Sequence, residues 1–441
     1  MTQTHRHWTL MVYMAGDNGK VFELLTGEKK QVFHPMEEQG WIDIKEMEAV
    51  GSTDQVAVLV QFDTLSNREH TFRIYIPPKS ETRDIQHITA QNTGDPTSLR
   101  DFIVWGIQNY PAENYAVIIW NHGTGWNEDD IYDFARHRGL EIRASQDEVR
   151  SLTRSRRRLS RALFLSSITE VLQLEDEESR GIAYDDSSLD FLDNAKLQQA
   201  FQEAEGITGQ KVSLIGMDAC LMSMVEVAYQ LRANANYMIA SQEVEPMSGW
   251  PYTKILQSLT THPQMTSEVL AKLIVQEYGR YYEENFRGVR LLTQSATNLT
   301  EIEKLAEVVG RLATVLRQLR VEKNIYIENA LYHAQKKVVR FTEEPKDSTD
   351  LYDFLEVLLN KYGGDSTLLT SIVDEIKNLI TIDTESKLVL ENVVLGSNSS
   401  RIKGLSIYLP MRDYSPFYDR SDFAKCGWGE FIRFHNTEDE E

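Results

Sequence analysis

The sequence predicts an α/β protein whose central sheet is mostly parallel, followed by a helix-rich C-terminal third. Three observations carry that expectation. Short continuous apolar runs recur along the first half of the chain, helical stretches separate them, and long periodic helices dominate the final third. Continuous apolar runs mark strands covered on both faces, the usual condition of a parallel sheet.

In chain order, residues 8–14 form the first such strand. Residues 19–40 interrupt the passage to the first helix with Gly, Lys, Glu and Pro, and read as an insertion. A second buried strand covers 55–61. Residues 71–76 alternate and stop at Pro77 and Pro78, which predicts an edge or hairpin strand. A third buried strand covers 115–120. From about 127 to 180 the chain turns polar and charged without sustained periodicity, and a long insertion is expected there. Buried strands resume at 212–217 and 237–241. Apolar residues at helical spacing predict helices at 267–282, 299–319, 351–362 and 368–380, with core packing as their default role. Strand-like 387–395 and 404–409 return to the main sheet or form a smaller one. The expected division is a core over 1–295, including the 127–180 insertion, and a helical region with final strands over 296–441, packed on that core.

A chain of 441 residues with 41% hydrophobic and 26% charged residues buries a full core. No apolar run approaches the roughly 20 residues needed to cross a bilayer. The formal net charge of −21 disfavours nucleic acid and anionic membranes as partners and suits a cationic substrate, although acidic surfaces commonly serve solubility alone. The two cysteines, Cys220 and Cys426, build neither a disulfide framework nor a zinc finger. With no evident signal peptide, a cytoplasmic location is expected. No internal repeat and no nucleotide, dinucleotide or zinc-peptidase motif is present.

Two strand ends carry the chemistry. The run from Tyr115 to Trp120 ends in Asn121, His122 and Gly123, and the run from Val212 to Met217 ends in Asp218, Ala219 and Cys220. In a parallel sheet, ligands bind beyond the carboxyl ends of the strands, so neighbouring strands ending this way aim a thiol and an imidazole into one crevice. A glycine after the histidine lets the backbone approach a substrate and leaves its N–H for an oxyanion. Taken singly, a cysteine is more often a buried small hydrophobe and a histidine more often structural. Their joint placement favours chemistry. Cys426 has no preceding buried strand and is assigned no role.

Five segments resemble the clostripain-like cysteine peptidases of the caspase-like clan, in the family's order. They are Met11 to Asn18, Asn92 to Asp95, Gly216 to Ser223, Ala240 to Pro246 and Gly404 to Pro410. The resemblance implies a caspase-like three-layer αβα sandwich and a cysteine endopeptidase that cuts peptides or proteins after Arg or Lys. It makes His122 the catalytic histidine and Cys220 the nucleophile. In such enzymes the two side chains straddle the scissile bond, the histidine protonating the leaving amine while N–H groups of Gly123 and Cys220 hold the oxyanion.

Asp218 matches the position that places a carboxylate at the base of the S1 pocket in basic-specific relatives; an Asp at a strand end also caps a following helix. Glu243 and Glu245 are further pocket candidates. Relatives often carry an acid a few residues later, where Ser248 stands here, which implies weaker or differently tuned basic selectivity. Arg154, Arg156, Arg157, Arg158 and Arg161 lie between the two catalytic positions, and the resemblance implies activation by autocleavage within 150–161. The dyad requires no cofactor. Calcium is left open, because no D-x-[DN]-x-[DN]-G loop occurs and Asp129, Asp130, Asp185 and Asp186 are scattered. Oligomeric state is unread. Other readings are an inactive caspase-like interaction scaffold and a transpeptidase or amidase using the same dyad, since acyl transfer to water or to an amine starts from one thioester.

Overall fold

The computed structural model describes residues 6–17, 22–26, 29–33, 35–79, 81, 83–121, 182–185, 190–246, 248–285, 291–341, 347–382, 388–411 and 414–437. The 127–180 insertion lies outside them. Elements are numbered over the described residues.

The first strand, β1 (Arg6–Gly16), is followed by a hairpin of β2 (Phe22–Thr26) and β3 (Lys29–Phe33), helix α1 (Pro35–Glu48) and strand β4 (Val56–Thr64). The expected insertion at 19–40 thus contains a two-stranded hairpin, and α1 begins inside it, at Pro35. A meander of β5 (His70–Tyr75) and β6 (Asp84–Thr89) leads to α2 (Pro96–Asn109) and β7 (Ala112–Trp120). After a hairpin of β8 (Ile182–Asp185) and β9 (Asp190–Leu192) come α3 (Asn194–Thr208), β10 (Leu214–Asp218), α4 (Val225–Gln230) and β11 (Tyr237–Ala240). Helices α5 (Tyr252–Thr261) and α6 (Ser267–Asn285) precede β12 (Leu291–Asn298). The remainder comprises α7 (Ile302–Val321), α8 (Ile325–Lys337), β13 (Arg340–Phe341), β14 (Ser348–Asp350), α9 (Leu351–Lys361), α10 (Thr367–Ile380), β15 (Val389–Gly396), β16 (Ser406–Tyr408) and α11 (Trp428–Thr437).

Nine strands form the main sheet in the order β15-β12-β11-β10-β7-β1-β4-β5-β6. The five apolar runs read from the sequence are its parallel centre, β4, β1, β7, β10 and β11. Side chains alternate between faces along each strand, and both faces are covered. Leu10, Val12 and Met14 of β1 pack with Ile44 of α1, Leu256 of α5 and Ile274 of α6. Met11, Tyr13 and Ala15 pack on the opposite face with Phe102 of α2, Phe201 of α3 and Leu312 of α7. Three layers follow from that alternation.

Of the two readings for 71–76, edge or hairpin strand, the hairpin reading holds: β5 pairs antiparallel with β4 and with β6, and β6, whose mixed sequence carries no buried-strand signature, takes the edge position. One expectation is corrected: the division at 295/296 falls inside β12, and β15 extends the sheet beyond it. Buried residues of α7 to α11 join the same core cluster as β1 and β7. The final strands do both things foreseen for them, β15 entering the main sheet and β16 pairing with β14 in a three-stranded one.

The Asn92 to Asp95 segment fastens α2. Asp95 is its N-cap, accepting from Thr97 N–H at 2.8 Å with Pro96 opening the helix, and the Thr93 carbonyl accepts from the Tyr13 hydroxyl at 3.1 Å.

Candidate active site

Strands β7 and β10 are parallel neighbours, with Trp120 paired to Asp218 and the Asn121 N–H donating to the Asp218 carbonyl at 3.3 Å. Both strands end at the same edge of the sheet. Cys220 stands two residues past Asp218, and His122 two residues past Trp120. Cys220 is 2% exposed and lies outside any disulfide, its sulfur accepting the Glu245 N–H at 3.3 Å. Leu221 follows in the left-handed region, at φ 62°, a conformation that a branched side chain adopts only when its surroundings hold it. Its N–H donates to the Glu243 carbonyl at 3.3 Å, and Ser223 N–H to the Ser241 carbonyl at 2.8 Å. The turn carrying the cysteine is thus hung on the segment that leaves β11.

Asp218 is fully buried on the face covered by α1, α5 and α6. Its Oδ2 accepts from the Tyr252 hydroxyl at 2.9 Å and from Trp250 N–H at 3.4 Å. It does not cap the next helix, since α4 starts at Val225 without a side-chain cap. The Trp250 indole lies across β10, where a Cβ on Gly216 would come within 2.8 Å of Trp250 Cη2. Only glycine leaves that space. On the neighbouring helix, the Glu46 carboxyl is pushed up, first by burial and also by the negative field of Asp218.

Three of the five resembling segments meet through hydrogen bonds beside the ends of these strands. Ser223 Oγ donates to the Gly404 carbonyl at 2.6 Å, and Gly404 N–H donates to Gln242 Oε1 at 3.0 Å. Gln242 Nε2 donates to Asp350 Oδ2 at 3.0 Å, and Lys403 N–H to the same oxygen at 2.7 Å. Burial still pushes the Asp350 carboxyl up to about 6, against the lowering effect of those donors. Met11 to Asp17 supplies the end of β1 beside β7.

A model of the clostripain family matches residues 36–150 and 167–433 of this chain. The chain belongs to the clostripain family. Clostripain of Hathewaya histolytica is 25% identical over 93% of this chain and 76% of its own length. An inactive zymogen C11 protease from Parabacteroides distasonis superposes with a TM-score of 0.59 at 19% identity, covering 96% of this chain and 98% of that one. A secreted C11 cysteine protease from Bacteroides thetaiotaomicron, solved with an irreversible peptide inhibitor, gives 0.58 at 16% identity over 96% and 99%. At these identities the solved structures establish the shared fold, the caspase-like three-layer arrangement. The protein is a cysteine peptidase of this family.

Of the residues predicted from sequence, the clostripain-family fold joins Cys220 and its turn to Glu243 and Glu245 by hydrogen bonds, while Asp218, two residues earlier, bonds to Trp250 and Tyr252. Glu245 is fully buried, and its Oε1 accepts from Gln294 Nε2 at 3.2 Å. Glu243 is half-buried, with its carboxylate accepting from Val244 N–H at 2.9 Å. Ser248 is half-buried beside a turn closed by Gly249 N–H on the Pro246 carbonyl at 2.9 Å. His122, Gly123, Asp129, Asp130, Asp186 and the five arginines from Arg154 to Arg161 lie outside the described residues, as does the side chain of Asp185. Among the described residues no group of three or more His, Cys, Asp or Glu is placed to hold a metal ion.

Sequence reasoning missed Trp250, Tyr252, Thr293, Gln294 and Asp350. A usable signal existed for the first two, an aromatic pair flanking Pro251 shortly after the segment that ends at Pro246. Thr293 and Gln294 sit in a polar strand with no buried-strand signature.

Proposed function

We propose that this clostripain-family peptidase is an endopeptidase cutting after arginine or lysine, with Cys220 as nucleophile and His122 as acid/base partner. The observation that carries this reading is the register of β7 and β10, which sets Trp120 beside Asp218 and starts both catalytic positions from one pair. The Cys220 thiolate attacks the scissile carbonyl carbon, and N–H groups of Gly123 and Cys220 receive the oxyanion. His122 protonates the leaving amine as the C–N bond breaks; water then cleaves the thioester and releases the acid with the thiol.

Asp218 pairs with the basic P1 side chain in this reading. A fully buried carboxylate strongly favours a cation that can reach it, and here a guanidinium enters by taking over from the Tyr252 hydroxyl and Trp250 N–H. Glu243 at the segment's surface and Ser248 in the adjoining turn are the remaining pocket candidates.

We further propose activation by cleavage within 150–161, at one of Arg154, Arg156, Arg157, Arg158 or Arg161. Supporting it, Cys220 is only 2% exposed in the uncut chain. The test follows the purified protein on a denaturing gel while it hydrolyses an Arg-terminated amide reporter. Activity rising with the appearance of two fragments is expected; an uncut chain at full activity overturns the activation step. The dyad needs no cofactor in this scheme, so EDTA leaves hydrolysis by the processed enzyme unchanged. EDTA inhibition reversed by calcium would contradict it.

A further inference from the structure

Strand β12 carries polar residues that are nonetheless withdrawn from water: Thr293 and Ser295 are 1% exposed, Gln294 and Thr297 fully buried. Buried polar groups persist where they hold something, because a buried group without partners is costly. Thr293 Oγ1 accepts the N–H groups of Gln242 at 2.9 Å and Glu243 at 3.0 Å. Gln294 Nε2 donates to Glu245 Oε1 at 3.2 Å. These bonds fix residues 242–245, the segment leaving β11.

That segment touches the nucleophile's turn twice. The Glu243 carbonyl accepts the Leu221 N–H, and the Glu245 N–H donates to Cys220 Sγ, each at 3.3 Å. The amide of Gln294 is turned to serve the carboxylate, leaving its own Oε1 without a hydrogen-bond partner among the described residues. An amide free to choose would satisfy both ends, so the demand of the Glu245 carboxylate sets its orientation.

We propose that Gln294 is a positioning residue for the cysteine: through the Glu245 carboxylate it holds the Glu245 N–H against Cys220 Sγ, where that donor stabilises the thiolate. The inference rests on Cys220 being the nucleophile. A hydrogen bond donated to sulfur favours the charged form, and the thiolate is the attacking species. A main-chain donor stays aimed only while its peptide plane is held, and the Glu245 side chain, tied to β12, is one hold on that plane. Glu245 then acts as a support beneath the nucleophile rather than as a wall of the S1 pocket.

The test titrates the thiol itself. In a Cys426→Ser background, the rate at which iodoacetamide alkylates Cys220 is followed against pH by peptide mass, using the preparation that hydrolyses the Arg reporter. Gln294→Met keeps the volume and removes the donor. Its alkylation midpoint is expected to rise by about one pH unit, with alkylation below the midpoint slowed about tenfold and kcat reduced while KM stays within about twofold. Glu245→Gln keeps an acceptor for the Gln294 amide and removes a neighbouring negative charge, so its midpoint stays at or below that of the wild type. An unchanged midpoint in Gln294→Met, or a rise in both variants, overturns the proposal. Should Gln294→Met not fold, Glu245→Gln decides alone: a raised midpoint overturns the proposal, and one at or below wild type supports it. Cys220→Ala separates the two layers. If hydrolysis survives it, the nucleophile assignment fails and the proposal with it; if hydrolysis is lost while Gln294→Met titrates like wild type, only the positioning role fails.

Discussion

At Asp218 a carboxylate with no exposure rests on a tyrosine hydroxyl and a main-chain N–H, two donors that a basic side chain can replace. Asp218→Asn keeps the volume and removes the charge. It is expected to lower kcat/KM for Arg reporters about a hundredfold, measured by initial rates, because a buried cation then lacks its counter-charge. A second buried acid reports on stability. Glu226 opens α4, accepting the Tyr408 N–H at 2.9 Å and the Tyr418 hydroxyl at 2.8 Å, and burial pushes its carboxyl from 4.5 up to about 7. The folded state therefore holds the proton more tightly than the unfolded chain. The resulting stabilisation is complete below about 4.5 and is lost as pH rises through about 7. Glu226→Gln retains the accepting oxygen and cannot ionise. Denaturation at pH 5 and pH 8 should show the wild type losing up to about 3 kcal/mol relative to the variant at the higher pH. Equal losses in both proteins would contradict the shift.

At the scale of elements, β1, β4, β7, β10 and β11 were legible because burial on both faces leaves an unbroken apolar run. Strand β12 was not, because most of its buried positions are polar, and the partners of Thr293, Gln294 and Ser295 come from distant segments at residues 241–245 and 404. No local pattern announces a polar strand whose hydrogen bonds are tertiary. Strand β5 was legible as a hairpin strand from its alternation and closing prolines, whereas β6, which takes the edge beside it, has alternation too weak to read. Cys220 and Asp218 were legible since chemistry-bearing residues ending apolar runs stand out against their surroundings, whereas Tyr252 reaches Asp218 only through the fold. The close crossing of Trp250 over β10 makes an element-level prediction. Gly216→Ala sets a Cβ 2.8 Å from the indole and 3.1 Å from Ile118 Cγ1, and should destabilise by about 1–3 kcal/mol in urea denaturation. Because Trp250 N–H meets Asp218, activity on Arg reporters should fall in the same variant.

Across the whole molecule, the sheet explains how a cut chain can remain one enzyme. Strand β7 precedes residues 150–161 and β10 follows them, yet the two pair in the middle of the sheet, and residues from both sides share one core cluster. Cleavage within 150–161 should therefore give two fragments that co-elute in size-exclusion chromatography and separate only in denaturant; fragments that part under native conditions would contradict this. The formal charge of −21 adds a general attraction for basic peptides that salt weakens, while Asp218, being buried, is screened much less. The most direct test of the central claim compares wild type with Cys220→Ala on Arg-, Lys- and Asp-terminated amide reporters. The account predicts hydrolysis of the Arg and Lys reporters by the wild type, little on Asp, and loss of at least about a thousandfold in the variant. Preference for Asp, or hydrolysis that survives the substitution, would contradict it.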